Sequence, residues 1–136
     1  MKLLMFHVNE FWYKTFSQTL DSVDKIEKEE KIENSLVVFI QVEKEDEERK
    51  DKIRKKAFEN IKWLAKKVNV EEIMLHSFGH LSESKSSPEF AQEMIDNIKQ
   101  SLEERGLKTH TTPFGYFLEF KIHVLGESLA KVFKSL

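Results

Sequence analysis

The residue types best suited to chemistry are concentrated in Ser77-Phe78-Gly79-His80-Leu81-Ser82. Histidine changes its charge most readily around neutral pH, so His80 is a candidate proton carrier or substrate-orienting group. Gly79, directly before it, lets the backbone turn without steric cost and leaves its own N–H open to a ligand. The preceding run Ile73-Met74-Leu75 reads as a strand buried on both faces, breaking at His76-Ser77. In open α/β folds ligands gather where the chain leaves the carboxyl ends of strands, which makes this strand end the leading candidate site.

Other chemistries find less support. On a helix, His76 and His80 would sit one turn apart as metal ligands, but a glycine lies between them and no third ligand is apparent. There is no cysteine, hence no disulfide, thiolate site or cysteine nucleophile. No GxGxxG or Walker loop offers a phosphate cradle, so no cofactor and no metal are expected. The serines after His80 lack a GxSxG elbow and read as caps and loop residues. His7 reads as a core-edge residue that holds a hairpin by a hydrogen bond, and His110 and His123 as surface or strand-edge residues.

The elements that must position the loop follow from periodicity. Lys2 to Val8 is a nearly continuous apolar run and predicts an interior strand; Asn9-Glu10 predicts a turn into a second strand, Phe11 to Phe16. Ser17 to Asn34 is charged and fits either a loop or a short helix. Ser35 to Val42 is the strongest strand signal, with apolar residues on both parities that place it centrally. Glu43 to Lys52 is a charge run and predicts a solvated connection. Ile53, Ala57, Ile61, Leu64, Ala65 and Val68 then recur at helical spacing, with Lys and Arg mostly off that stripe. Ser87 before Pro88 is a helix start, Ala91 to Leu102 carries its apolar stripe, and Gly106 is its stop. Pro113-Phe114-Gly115 is a hinge, Tyr116 to Val124 an alternating strand, and Ser128 to Leu136 a short closing helix. The order predicts an α/β fold: a single domain with a mixed sheet and packed helices.

Composition bounds the function. The chain has 136 residues, enough for one domain with a real core. Its 22 Lys+Arg against 24 Asp+Glu give a net charge of -2, which argues against gripping a long duplex and leaves open a small local contact such as one RNA end. No apolar run approaches the ~18 residues of a membrane span and no signal peptide is apparent, so the expectation is a cytoplasmic protein without membrane contact.

Two stretches carry a resemblance: Ser77-Phe78-Gly79-His80-Leu81-Ser82, and Pro113-Phe114-Gly115-Tyr116 with Phe120-Lys121-Ile122 downstream. They resemble the amino-terminal editing domain of archaeal threonyl-tRNA synthetases. Leu3 to His7, Val42-Glu43-Lys44 and Glu104-Arg105-Gly106 match further landmarks in order, so the resemblance covers nearly the whole chain. It implies a D-aminoacyl-tRNA deacylase-like fold over residues 1–136 and hydrolysis of serine from mischarged threonine tRNA. It places a pocket histidine at His80, a backbone amide at Gly79, a pocket aromatic at Phe114 and a wall residue at Val42. Ser77, Phe78, Tyr116 and Phe117 fall around them as substrate-binding positions. The implied partners are the tRNA 3′ end and a threonyl-tRNA synthetase catalytic chain, with a second copy of this chain as a further candidate. The chain departs from the family at Phe117-Leu118, where Tyr-Lys is common, at Lys131, where a glutamate falls, and at Ser77, where proline commonly stands. Lysine, tyrosine and glutamate chemistry does not carry over.

Overall fold

Alternation along the first residues sets the frame. Leu3, Met5, Val8, Phe11 and Tyr13 are fully buried, and they lie on one uninterrupted strand, β1 (Lys2–Gln18). The computed structural model describes all residues 1–136. The turn expected at Asn9-Glu10 does not form. Pairing of β1 with the late strand β5 (Tyr116–Val124) instead slips by one residue between Val8 and Glu10, which leaves Asn9 in a bulge. β2 (Glu29–Gln41) returns antiparallel along almost the whole of β1. The segment left open between loop and helix thus contributes a strand from Glu29 onward. Asn34 of β2 takes a left-handed φ of 44°, a conformation asparagine tolerates better than most residues. Its side chain meets His7 Nε2 at 3.3 Å, so His7 does tie a hairpin, though to β2.

After β2 a 3-10 turn (Lys44–Glu48) leads into α1 (Lys50–Lys67), then β3 (Glu72–Ser77), α2 (Pro88–Glu103), β4 (Lys108–Thr111), β5 and β6 (Lys131–Ser135). The sheet order is β4-β3-β2-β1-β5, with β6 on the free half-edge of β1. β2–β3 and β3–β4 are parallel and the other pairs antiparallel, so the sheet is mixed. Two corrections apply. Ser128 to Leu136 is not a helix: a short turn precedes β6, which pairs with Lys2 to Phe6. An unpaired β1 edge outweighs the weak local helical pattern, because a strand there satisfies both backbones. Nor is Glu43 to Lys52 simply a solvated run, since Glu43 and Asp46 are buried.

Both helices cover one face. Ile53, Ala57, Ile61, Leu64 and Ala65 of α1, with Met94, Ile95, Ile98 and Leu102 of α2, pack on Leu3, Met5, Leu36, Val38, Ile40, Ile73 and Leu75. Each fully buried aliphatic side chain contributes about 1.5–3 kcal/mol by removal from water. α2 starts as its sequence predicts: Ser87 Oγ accepts from the Phe90 N–H at 3.2 Å and Pro88 follows at the first helical position. The opposite face carries a smaller, aromatic core of Val8, Phe11, Tyr13, Ile32, Val37, Phe39 and Met74 with no helix over it. No helix is long and apolar enough to cross a membrane.

Candidate functional site

Beyond Ser77 the chain leaves the sheet, with the Phe78 N–H still donating to the Ile40 carbonyl at 2.9 Å. The loop that follows is fastened chiefly by one side chain. Gln41, the last residue of β2, is buried. Its Oε1 accepts from the Leu81 N–H at 2.6 Å and the Ser82 N–H at 2.7 Å. Its Nε2 donates to the carbonyls of Ser82 at 2.7 Å and Ser84 at 3.0 Å. A primary amide has two hydrogens and two lone pairs to give, and all are used on this loop. Glu43 adds a second tie, its Oε2 accepting from Ser82 Oγ at 2.7 Å. Burial alone would raise the Glu43 carboxyl. Hydrogen bonds from the Met1 ammonium, Ser82 and Lys2 outweigh it and hold the pKa at about 2, so the tie stays charged across the neutral range.

On the loop held this way, the N–H groups of Gly79 and His80 have no partner within the chain. Gly79 is exposed, and its φ lies outside the left-handed region, so the turn itself does not demand glycine there. The lack of a side chain matters for what lies beside it: a methyl group on Gly79 would stand 3.4 Å from Lys85 Nζ. Lys85 forms no ion pair, while Lys2 and Arg49 are paired with carboxylates. His80 is exposed, its ring edge-on to Phe78 at 5.1 Å. Phe78 packs on Phe39 at 4.9 Å, which anchors the exposed histidine to the aromatic face.

His76 lies deeper in that face. Its ring meets Phe39 at 5.0 Å and Nδ1 pairs with Thr112 Oγ1 at 2.9 Å, in a site only 5% exposed. Burial pushes its pKa down to about 4. The folded state therefore holds neutral His76 where the unfolded chain, near 6.5, binds a proton. Between those values the unfolded state carries more protons, so stability rises with pH: it is complete above about 6.5 and lost on acidification toward 4, by about 3 kcal/mol in all. Urea unfolding between pH 7.5 and 4.5 measures this, and His76→Asn should flatten the profile over that window. An equal slope in the variant would assign the acid sensitivity to other groups.

The remaining residues singled out by sequence divide between the two faces. Ser77 and Phe114 line a cavity of about 200 Å³ beneath α2, together with Thr112, Ile95, Asp96 and Lys28. His80 and Gly79 do not line it. Val42 is 5% exposed within the helix-side core and meets the loop region only through its carbonyl, which accepts from the Ser86 N–H at 3.1 Å. The Tyr116 hydroxyl accepts from the Ile26 N–H at 2.9 Å and donates to the Asp24 carbonyl, pinning the β1–β2 connection. Gly115 below it has φ 83°, and a methyl there would come within 2.8 Å of Val23, so this glycine is required. Phe117 is 57% exposed on β5, and Leu118 packs on the aromatic face. Lys131 Nζ donates to the Leu125 carbonyl at 2.8 Å, away from the loop. Sequence reasoning passed over Gln41, Thr112 and Lys85. For Gln41 the signal was present: a lone amide in the apolar run Ser35 to Val42 must find partners when buried.

A family model described as the archaea-specific editing domain of threonyl-tRNA synthetase matches residues 1–136. Among curated proteins, the Threonine--tRNA ligase of Pyrococcus furiosus is 34% identical over 139 residues, covering 100% of this chain and 22% of the relative. The corresponding ligase of Methanosphaera stadtmanae is 33% identical over 138 residues and that of Staphylothermus marinus 34% over 140, with the same coverage of 100% and 22%. This chain thus spans about a fifth of the length of these relatives. Among solved structures, the c-Myc DNA Unwinding Element Binding Protein aligns with a TM-score of 0.72 at 13% identity, over 100% of this chain and 99% of that one. That likeness is one of fold, and the fold is the mixed sheet with packed helices expected from the sequence.

Proposed function

Because the chain belongs to the archaea-specific editing domains of threonyl-tRNA synthetase, we propose that it is a proofreading hydrolase that removes mischarged serine from threonine tRNA. The observation that carries the reading is the pair of unpartnered amides, Gly79 and His80, on a loop locked by Gln41. An aminoacyl-tRNA ester is already activated, so its hydrolysis needs a placed water and a stabilised oxyanion more than a strong base. Fixed N–H donors supply the second need without reorganising during the reaction. Lys85, beside Gly79, adds positive charge where negative charge develops. Water attacks the ester carbonyl, the tetrahedral oxyanion forms against the amides, and its collapse expels the ribose oxygen of the tRNA, which takes up the proton. His80 orients the terminal nucleotide, and the neighbouring 2′-OH helps place the water. The cavity at Ser77 begins two residues from Gly79, about 7 Å along an extended chain, and suits a small side chain.

Such an activity has a chemical reason to exist. A site built for threonine cannot strongly reject serine, because one missing methyl changes binding by only about 1–3 kcal/mol. Purified protein should therefore release serine from seryl-tRNA for threonine and leave threonyl-tRNA intact in a deacylation time course. One observation favours a second reading, a non-catalytic domain that holds the tRNA 3′ end or docks on a synthetase chain. Phe117 and Leu118 offer no polar side-chain atom, and Lys131 is engaged at Leu125. Release of neither amino acid, with retained binding to the tRNA 3′ end, would select that reading.

A further inference from the structure

The eighteen residues of α1, KDKIRKKAFENIKWLAKK, hold eight Lys and Arg against two acids, in a chain whose net charge is -2. The helix is positive by six charges, and the rest of the molecule is correspondingly acidic. The lysines are not spread evenly around it. At 100° per residue, Lys52, Lys55, Lys56, Trp63, Lys66 and Lys67 fall on one side, and all six are exposed. The five lysines have no salt-bridge or hydrogen-bond partner, whereas Lys28 just before β2 and Lys31 and Lys108 on the sheet all pair with carboxylates. The acid on this face, Glu59, is occupied by Lys62 at 3.4 Å. Trp63 is 43% exposed, and Lys134 Nζ of β6 lies 5.8 Å from its ring. An exposed tryptophan among unpaired cations leaves apolar surface and unneutralised charge side by side. From Lys52 to Lys67 the row runs about 22 Å, a length over which a nucleic-acid duplex carries on the order of a dozen phosphates.

The position of this row relative to the candidate loop matters. Its first end is the start of α1, where Arg49 pairs with Asp46 at 3.2 Å and Asp46 Oδ2 accepts from the Glu43 N–H at 2.8 Å. Glu43 in turn holds Ser82 of the loop at 2.7 Å. We infer that this face of α1 is a binding track for the sugar-phosphate backbone of duplex RNA, with Trp63 packing on a ribose or base, and that it seats the acceptor stem whose 3′ end enters the loop. The identity of the RNA rests on the proofreading reading; the chemistry of the track does not.

The test uses the full chain and an uncharged RNA hairpin ending in a single-stranded CCA. In Lys52→Gln/Lys56→Gln/Lys66→Gln/Lys67→Gln, affinity for the hairpin should fall and the salt dependence should flatten. With four phosphates no longer neutralised, the weakening between 50 and 200 mM salt should shrink by about 100-fold. The matching arginine variant should bind as wild type does. Both variants should melt as the wild type does, since these ammonium groups pair with nothing in the fold. Tryptophan fluorescence should change on RNA binding and lose that change in Trp63→Phe. A second substrate separates this inference from the one it rests on. Seryl-adenosine has no duplex, so the glutamine variant should hydrolyse it at the wild-type rate while losing kcat/KM on charged tRNA. If neither ester is hydrolysed but hairpin binding maps to α1, proofreading fails and the track stands. Equal hairpin binding by wild type and glutamine variant would overturn the track. So would tighter binding of polyglutamate than of the hairpin, which would make the face a site for an acidic protein.

Discussion

Gln41→Leu should detach the His80 loop and slow deacylation by about 100-fold or more. The leucine is close in volume and leaves β2 packed, so the change isolates the four hydrogen bonds to Leu81, Ser82 and Ser84. Two N–H groups and two carbonyls lose their protein partner; each such loss costs about 1–3 kcal/mol where water cannot replace it. This loop is half-exposed, so water recovers part of that, and a net destabilisation of about 2–4 kcal/mol is expected. Activity suffers more than stability. A displacement of about 1 Å in groups that must meet a transition state can cost about 100-fold in rate. Gln41→Glu refines the test: a carboxylate keeps the acceptor for Leu81 and Ser82 but faces the Ser82 and Ser84 carbonyls with a lone pair. Its rate should fall between those of wild type and Gln41→Leu. The measurements are single-turnover deacylation and chemical unfolding of each variant. Wild-type rates in both would mean that the loop holds its shape without Gln41.

Gln41 also marks where the sequence ceases to be legible. Ser35 to Val42 is readable as a central strand because an unbroken run of buried residues leaves few alternatives. That the amide within the run reaches across to residues forty positions later is not, because hydrogen-bond partners are set by topology rather than by local pattern. The same holds for Glu43 and Asp46. In sequence they belong to a charge run, and only the folded chain brings the buried Met1 ammonium to both and Arg49 to Asp46. β6 and the first half of β2 escape for a related reason: each is stabilised by the edge of β1, which no local periodicity records. The Asn9 signal is physically real but has a different outcome. An asparagine that disturbs the ladder makes a bulge within a long strand rather than a turn between two short ones. The apolar stripes of both helices are legible, and for α2 the Ser87 cap and Pro88 mark the start as well. By contrast, α1 has no side-chain cap and its first turn is hidden in the charge run.

The site is legible in its parts and not in its assembly. His80, Gly79 and Phe114 are candidates from motif and order. The sequence carries no hint that His80 belongs to the aromatic face through Phe78 while Phe114 and Ser77 border a cavity under α2. The strand end between them is what joins the two. Ser77 is the last residue of β3 and Phe78 the first beyond it, so their side chains point to opposite faces of the sheet. Under the proposed function, a substrate bound at the loop would have apolar rings on one side for a base and the small cavity on the other for a side chain. The proposed activity calls for such a division, because it must read both the RNA terminus and the amino acid attached to it.

Replacing the terminal 2′-OH of the charged tRNA with hydrogen should suppress hydrolysis far more than His80→Ala. His80 is exposed, its ring rests on that of Phe78, and no carboxylate pairs with it to strengthen it as a base. The usual support of a histidine base, a third group that orients its far nitrogen, is missing. Its expected contribution is orientation, and His80→Ala should slow single-turnover release of serine by about 10-fold, below the ~10²–10⁴-fold span of a general base. The 2′-OH lies beside the ester carbon in the substrate itself and, in the proposed mechanism, places the water there. Its loss, in tRNA ending in a 2′-deoxy nucleotide with a 3′ ester, should cost on the order of 10²-fold or more, as loss of a positioned group does. Phe117 and Leu118 need no replacement for activity under this mechanism, because the work falls to backbone amides and to the RNA. The opposite outcome is equally clear in the rates. Near-complete loss in His80→Ala with little effect of the deoxy nucleotide would make His80 the base, and the domain a hydrolase that works through its own side chain.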